Sequence, residues 1–400
     1  MLIIGEYRVE RLVRSLRHLG ARDIAVCTAV DLNGHLDDGV RQVPLARTSA
    51  GLAATLNAIQ PELVLANLEP TNEQLLPELA ACGGWWRGTG RRMPVHSPDF
   101  ATIACDKVAF HREAQRHGWP VPRGEACLDA DQLLGSAVRL GLPLVVKEAR
   151  SMPGTGRHYV TAEVELRDLA ASVRYPVLAQ AALRGEEYGI ELMTTTGATV
   201  TWPVAAFGPL DPACRPMRRG RVMPAGLPAH VQADLAAFIS EVVASAQPQG
   251  PWQIDFVVDD SETLQVLEIN GRLSGMTNLG LAATGVDPHA VHALSSVVDG
   301  HLPAVRPRWI ALELPAPRNG PIIAPPGIDL TVNEGSETER GVRYAGYRRL
   351  VLCLDRSDMD ISTIQMLTPL VSRAALESLV ARGAVGLRDW TPLTIRGRRR

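Results

Sequence analysis

The sequence predicts an α/β protein of several lobes, and three observations carry that reading. Apolar stretches of strand length alternate with stretches of helical period. The N-terminus has a β-turn-α-β pattern: Leu2–Ile4, then Gly5, then a helix carrying Val9, Leu12, Val13, Leu16 and Leu19, closed by Gly20, then the strand Asp23–Cys27. Further on, Gln253–Val258 alternates, with Ile254, Phe256 and Val258 on one face and Gln253, Asp255 and Val257 on the other. Asp259-Asp260-Ser261 is turn chemistry, and Leu264–Ile269 is the return strand. A chain of 400 residues has room for two or three domains.

Bulk composition narrows the class. Apolar residues make up 46% and charged residues 21%, which is globular. A formal net charge of -2 gives no global field to recruit nucleic acid or membrane, so neither is expected as a partner. The basic end, Arg396-Gly-Arg-Arg-Arg400, reads as a solvated, frayed terminus. Six scattered cysteines with no CxxC pair argue against a zinc site or disulfide framework. They suit a reducing cytosol, so the expected location is cytoplasmic. Met1-Leu-Ile-Ile-Gly is too short for a signal segment, and no later stretch is apolar enough to span a bilayer.

Taken in order, the chain offers several candidate sites. The first turn has Gly5 but no GxGxxG, so no dinucleotide is assigned there. Leu63–Ala66 is a buried strand, followed by the loop Glu69-Pro70-Thr71 and a helix over Asn72–Ala81. Gly83–Gly90 sets Trp85 and Trp86 among glycines, either as a binding loop or as filling at a domain junction. Cys105-Asp106-Lys107 opens a helix to His117, and Trp119-Pro-Val-Pro122 is extended. After a helix at Asp129–Leu140, the strand Leu144–Lys147 ends in a single lysine. Burying Lys147 is unfavourable unless an anion meets it, which points to phosphate. Ser151–Arg157 contains Gly154, Thr155 and Gly156, whose backbone N–H groups either cradle phosphate or merely turn. It is not a Walker A loop. Pro176–Gln180 is a strand, and Glu187 and Glu191 lie on the next. Thr199–Phe207 is another. Gly208–Gly226 reads as a long loop carrying Arg215, Arg218, Arg219 and Arg221, whose forks suit carboxylates and phosphates. Pro228–Ala246 is an amphipathic helix. Beyond Pro288 a helix runs towards Gly300. In the remainder, Ile310–Leu314, Leu350–Leu354 and Gly386–Asp389 read as strands, and Ile361–Leu367 and Ser372–Ala381 as helices.

The hairpin is the most informative stretch. Glu268 and Asn270 share a strand face. If Asp255 pairs on that face, two carboxylates and an amide oxygen converge, which suits a hard cation such as Mg²⁺. An edge hairpin with solvated acids is the plainer alternative.

Asp255 followed by Glu268-x-Asn270-x-Arg272 resembles the magnesium hairpin of the ATP-grasp superfamily. The following Arg272-Leu-Ser-Gly-Met-Thr-Asn-Leu-Gly-Leu-Ala-Ala-Thr-Gly-Val-Asp is similar to the carboxylate–amine (L-amino-acid) ligase branch, related to carbamoyl-phosphate synthetase and biotin carboxylase. The resemblance implies an ATP-grasp fold (α+β nucleotide lobes) behind an N-terminal half-Rossmann domain. Expected borders are 1–100 for that domain, 101–184 for the small lobe, 185–305 for the large lobe and 306–400 for a C-terminal lobe. It further implies that Lys107, Lys147, Gly154, Thr155 and Gly156 hold the phosphates of ATP. Gln180 stands where a hinge Glu is usual, Ala182 and Leu183 offer backbone to adenine, and Glu187 holds ribose. Asp255, Glu268 and Asn270 bind one or two Mg²⁺, with Mn²⁺ as a substitute, and Arg272 is the catalytic cation. Arg215, Arg218, Glu191 and Ser274 are substrate candidates. The implied reaction joins a small carboxylate to an amine through an acyl phosphate, releasing ADP and phosphate; a homodimer is compatible with it. An ATP-grasp carboxylase, a phosphotransferase and a non-catalytic nucleotide module are the alternatives.

Overall fold

The structure, a computed structural model, describes residues 1–32, 36, 39–70, 72–151, 156–210, 219–298, 302–317, 329–339, 342–354 and 361–395. The first unit holds β1 (Leu2–Ile4), α1 (Val9–His18), β2 (Ile24–Thr28), β3 (Val40–Pro44), α2 (Ser49–Ile59), β4 (Val64–Ala66), α3 (Leu76–Arg87) and α4 (Pro98–Cys105). Its sheet runs β3-β2-β1-β4, every pair parallel. The helical period seen around Val9 is the buried stripe of α1: Val9, Leu12, Val13 and Leu16. The sequence gives little sign of β3, whose side chains are half-exposed and alternate poorly.

The Gly83–Gly90 stretch is not a loop. Helix α3 continues through it to Arg87, with Trp86 buried and Trp85 46% exposed. Gly83 is there for close packing: a β-carbon would lie 2.4 Å from Val95 Cγ2.

A second unit contains α5 (Lys107–His117), β5 (Gly124–Cys127), α6 (Ala130–Leu140), β6 (Leu144–Glu148), β7 (Arg157–Val160), α7 (Glu163–Ser172) and β8 (Val177–Ala181). Asp106 caps α5 by accepting from the N–H groups of Val108 and Ala109. The antiparallel sheet runs β5-β8-β6-β7.

The third sheet has nine strands. They are β9 (Gly185–Thr194), β10 (Thr199–Thr201), β11 (Ala205–Pro209), β12 (Arg221–Met223), β13 (Gly250–Asp259), β14 (Leu264–Asn270), β15 (Ile310–Pro315), β16 (Asp329–Glu339) and β17 (Val342–Leu354). The order is β14-β13-β9-β11-β12-β15-β17-β16, with β10 beside β9. The helices of this part are α8 (Ala229–Ser245), α9 (Thr277–Thr284), α10 (Pro288–Val297), α11 (Ile361–Leu367) and α12 (Arg373–Arg388). One face of the sheet is apolar: Tyr188, Ile190, Trp252, Ile254, Phe256, Val266 and Leu312 join Phe238 and Ile239 of α8 in the largest core. The opposite face meets α9 at one end and carries the charged residues of the hairpin.

Four expectations change. The strand expected at Thr199–Phe207 is two strands, broken at Trp202-Pro203-Val204, where proline has no N–H for a ladder. Part of the expected Arg-rich loop is the strand β12; Arg215 and Arg218 lie outside the described residues. The strands β15, β16 and β17 extend the same sheet that carries the hairpin, across the expected border at 305. The strand expected at Gly386–Asp389 is the end of α12. Gly386 lets that helix approach β12, since a β-carbon would lie 2.5 Å from the Pro224 carbonyl oxygen. None of the described helices is long and apolar enough to cross a membrane. Among the described residues, Cys27, Cys82, Cys105 and Cys127 are buried thiols outside any disulfide.

Candidate active site

Register settles which residues of the hairpin meet. Asp255 pairs with Glu268 and Gln253 with Asn270, with a bulge between Asp255 and Phe256. That bulge keeps Asp255 and Glu268 side by side on the polar face. On the other flank, β9 sets Glu187 beside Val257, Gly189 beside Asp255 and Glu191 beside Gln253. Asp255 Oδ1 accepts from Gln253 Nε2 at 2.6 Å, and Oδ2 accepts from Asn270 Nδ2 at 3.3 Å. Burial first, then the charge of Glu268, pushes the Asp255 carboxyl up to about 7. For Glu268, burial works to raise it, but Lys107, Lys147, Arg157 and Arg272 hold it below the ordinary value.

This donor pair fits a hard divalent cation. Two carboxylates on neighbouring strands repel when both are charged, and a cation between them removes that penalty. Among the described residues no group of three or more His, Cys, Asp or Glu makes a complete metal site. A cation at Asp255 and Glu268 would therefore draw its other oxygens from phosphate and water, as Mg²⁺ commonly does. Asn270, expected as the third ligand, turns its Oδ1 towards Arg272 Nη2 at 3.2 Å. Only a half-turn of the amide presents that oxygen to Asp255.

Cations from the second unit face this pair. Lys107 opens α5 and its Nζ lies 3.4 Å from Ser151 Oγ. Lys147 is buried on β6, with Arg157 opposite it on β7. Burial lowers Lys147 to about 8, the charge of Glu268 partly opposing that shift. Gly156 closes the β6–β7 turn, its carbonyl accepting from Glu148 N–H at 2.7 Å. Gly154 and Thr155 lie outside the described residues. Gln180 is buried on β8. The N–H of Ala182 donates to Pro143 O at 3.0 Å, so only its carbonyl is left for a base edge. Leu183 is half-buried in the crossing to β9. Glu187, expected on ribose, accepts from Arg219 Nη2 at 2.7 Å.

Arg272 is held from the first unit. Its Nε donates to Glu73 Oε2 at 2.8 Å, and the Gly271 N–H donates to Glu73 Oε1 at 2.9 Å. Both side chains are buried. His96 lies beside the same turn: Nδ1 accepts from Gln249 N–H, so Nε2–H points at the carbonyls of Pro251 and Gly271. Burial drives His96 down to about 4, consistent with a neutral ring. Arg272 is thus largely committed to Glu73 and Asn270, with only part of its fork left to reach a ligand.

Glu191 and Ser274 are together but enclosed. Glu191 Oε1 accepts from Ser274 N–H at 2.8 Å and Thr277 Oγ1 at 3.0 Å, at the N-terminus of α9. Tyr7 donates to the Ser274 carbonyl at 2.6 Å. Both residues are fully buried, and their bonds fix the 273–277 turn.

The sequence did not single out Glu73, Glu313 or Arg349. Glu313 had one available signal, a lone acid inside the apolar strand Ile310-Ala-Leu-Glu-Leu-Pro315. Glu73 follows β4 at the carboxyl end of a parallel sheet, where open α/β sheets place their sites.

Residues 104–276 match the description of an ATP-grasp domain. The chain is 30% identical over 207 residues to the carbamoyl phosphate synthase large chain of Thermus thermophilus, covering 48% of this chain and 20% of that one. It is 26% identical over 196 residues to the D-alanine–D-alanine ligase of Ralstonia pickettii, covering 46% of this chain and 59% of the other. Thus the chain spans less than two thirds of either relative. In fold it is similar to the crystal structure of L-amino acid ligase from Bacillus licheniformis, with a TM-score of 0.69 at 17% identity over 95% of this chain and 96% of that one.

The buried Glu73–Arg272 pair yields a stability test. Removing one partner leaves an uncompensated buried charge, so Glu73→Ala is expected to cost about 3–5 kcal/mol in urea unfolding. Arg272→Met combined with Glu73→Leu should recover a substantial part of that loss. Equal destabilisation by the single and double replacements would show that the charge pair is not what holds the turn.

Proposed function

We propose that this chain, whose residues 104–276 match an ATP-grasp domain, is an ATP-dependent carboxylate–amine ligase acting on small, amino-acid-like substrates. The observation that carries this is that Lys107 of α5, Lys147 of β6 and Arg157 of β7 act together on the charge of Glu268, which pairs with Asp255 on the hairpin. Cations next to a carboxylate pair suit a polyphosphate shared between the two. Lys107, Lys147 and the turn ending at Gly156 hold the triphosphate, and Gln180 with the Ala182 carbonyl and Leu183 borders the base. Glu187 reaches ribose when Arg219 yields it. Mg²⁺, when bound at Asp255 and Glu268, supplies neutralisation of phosphate charge. The acid attacks the γ-phosphorus with its carboxylate oxygen, ADP leaves, and the acyl phosphate takes an amine while phosphate departs. Arg272 steadies the reacting carboxylate through the N–H groups that Glu73 and Asn270 leave to it. Functional borders at 100 and 184 belong to the same reading.

Lys147 gives a proton-linked test. With its ammonium lowered to about 8, the ligand-free protein is partly deprotonated there at pH 8. A phosphate favours the charged form, so nucleotide binding at pH 8 takes up a proton. Calorimetry in buffers of different ionisation enthalpy should show that uptake, and Lys147→Met should abolish it. Binding without uptake in the wild-type protein would remove Lys147 from the phosphates.

Turnover tests the activity itself. ADP release with MgATP, screened over amino acids and small acids, should single out an acid, and hydroxylamine should trap it as a hydroxamate. Glu268→Ala should lower that release by at least about 10²-fold while the fold persists. Undiminished release from folded Glu268→Ala protein would refute the assignment.

A further inference from the structure

The polar face of the nine-stranded sheet continues past the hairpin to a second charged cluster. Arg221 of β12 pairs in register with Glu313 of β15, on the face opposite the core residues Val222 and Leu312. Arg221 Nη1 donates to Glu313 Oε2 at 3.0 Å, and Arg349 Nε lies 3.3 Å from Glu313 Oε1. Arg349 Nη2 also donates to the carbonyls of Arg219 and Glu313. One carboxylate therefore serves two guanidinium groups, and all three side chains are at least nine-tenths buried. Arg221 Nε is buried and has no hydrogen-bond partner among the described residues. Its guanidinium carbon lies 4.8 Å from the centre of the Phe207 ring, and its Nη1 borders Gly275 in the turn after Arg272.

A buried donor without an acceptor, beside one acid shared by two cations, is a place an anion would stabilise. The position fits a substrate. From β13 to β12 is three strand spacings, roughly 14 Å of backbone separation, and the arginine side chain spans part of it. Building on the ligase reading, we infer that Arg221 and Arg349, set by Glu313, take the spectator α-carboxylate of the amino acid that donates the amine. Its amino group is then aimed at the acyl phosphate formed near Asp255 and Glu268, and Phe207 forms the apolar wall beside it.

Calorimetry of the twenty L-amino acids tests this, each as the free acid and as its α-carboxamide, on protein holding Mg²⁺ and non-hydrolysable AMPPNP. At least one free acid should bind roughly tenfold or more tightly than its carboxamide, the scale of one lost charge-assisted contact. Arg221→Met leaves Arg349 on Glu313, and Arg349→Met leaves Arg221 there, so the acid keeps a cation in each variant. Both should remove the preference for the free acid while leaving AMPPNP affinity unchanged; Arg221→Lys should retain part of it. A preference that persists in folded Arg221→Met and Arg349→Met proteins, or the absence of any amino-acid binding, overturns the subsite. If AMPPNP does not bind, the nucleotide reading fails separately, and the same comparison on the protein alone still judges the subsite. Should the methionine variants not fold, wild-type crystals with a bound amino acid decide. Its carboxylate on Arg221 and Arg349 supports the inference, and a carboxylate elsewhere refutes it.

Discussion

Two carboxylates, Asp255 and Glu268, are held side by side on neighbouring strands, each half-buried. Two such charges repel, and a fold that keeps them must answer that repulsion. It does so unequally. Asp255 is pushed towards its neutral form, whereas Glu268 stays charged because four cations surround it. Three of those cations, Lys107, Lys147 and Arg157, come from a different unit of the chain. The electrostatic centre is therefore also the seam between two sheets, where the proposed nucleotide with its divalent cation would balance the charges.

The other parts of the chain brace this seam. Glu73 reaches from the first unit to hold both the Gly271 backbone and the Arg272 side chain, and His96 stands against the same turn. Tyr7, also from the first unit, bonds the Ser274 carbonyl. From the far end of the sheet, Glu313 and Arg349 extend the charged face beyond Arg221. The apolar face of that sheet gives these residues a rigid support, with Phe256 stacked on Tyr188 at 5.5 Å and packed into the same core as α8.

Much of this was legible because strand alternation is a local property. The parity of Ile254, Phe256 and Val258 against Asp255 fixes which side chains face the core, and so does the spacing of Glu268 and Asn270. Lys147 stood out because a single lysine ends a run of apolar residues. Long-range partners left no such mark. Nothing near Arg272 in sequence names Glu73 as its partner, 199 residues away. Glycines misled: Gly83 was read into a loop or junction and Gly386 into a strand, yet each lies within a helix where a neighbour comes too close for a side chain. Glu187 and Ala182 were read as open to a nucleotide, and the structure gives each an internal partner that only tertiary packing supplies.

The acyl-phosphate route proposed above would give the charged seam its purpose, and one isotope measurement tests it directly. An acid found to support ADP release is supplied with ¹⁸O in its carboxylate, and the released phosphate is analysed by mass spectrometry. Attack by that carboxylate on the γ-phosphorus must carry one labelled oxygen into phosphate when the amine displaces it. Phosphate containing one ¹⁸O per turnover is the expected result. Unlabelled phosphate, formed at the same rate as ADP with the labelled acid, would contradict activation of the carboxylate and with it the role given to Asp255, Glu268 and the lysines facing them.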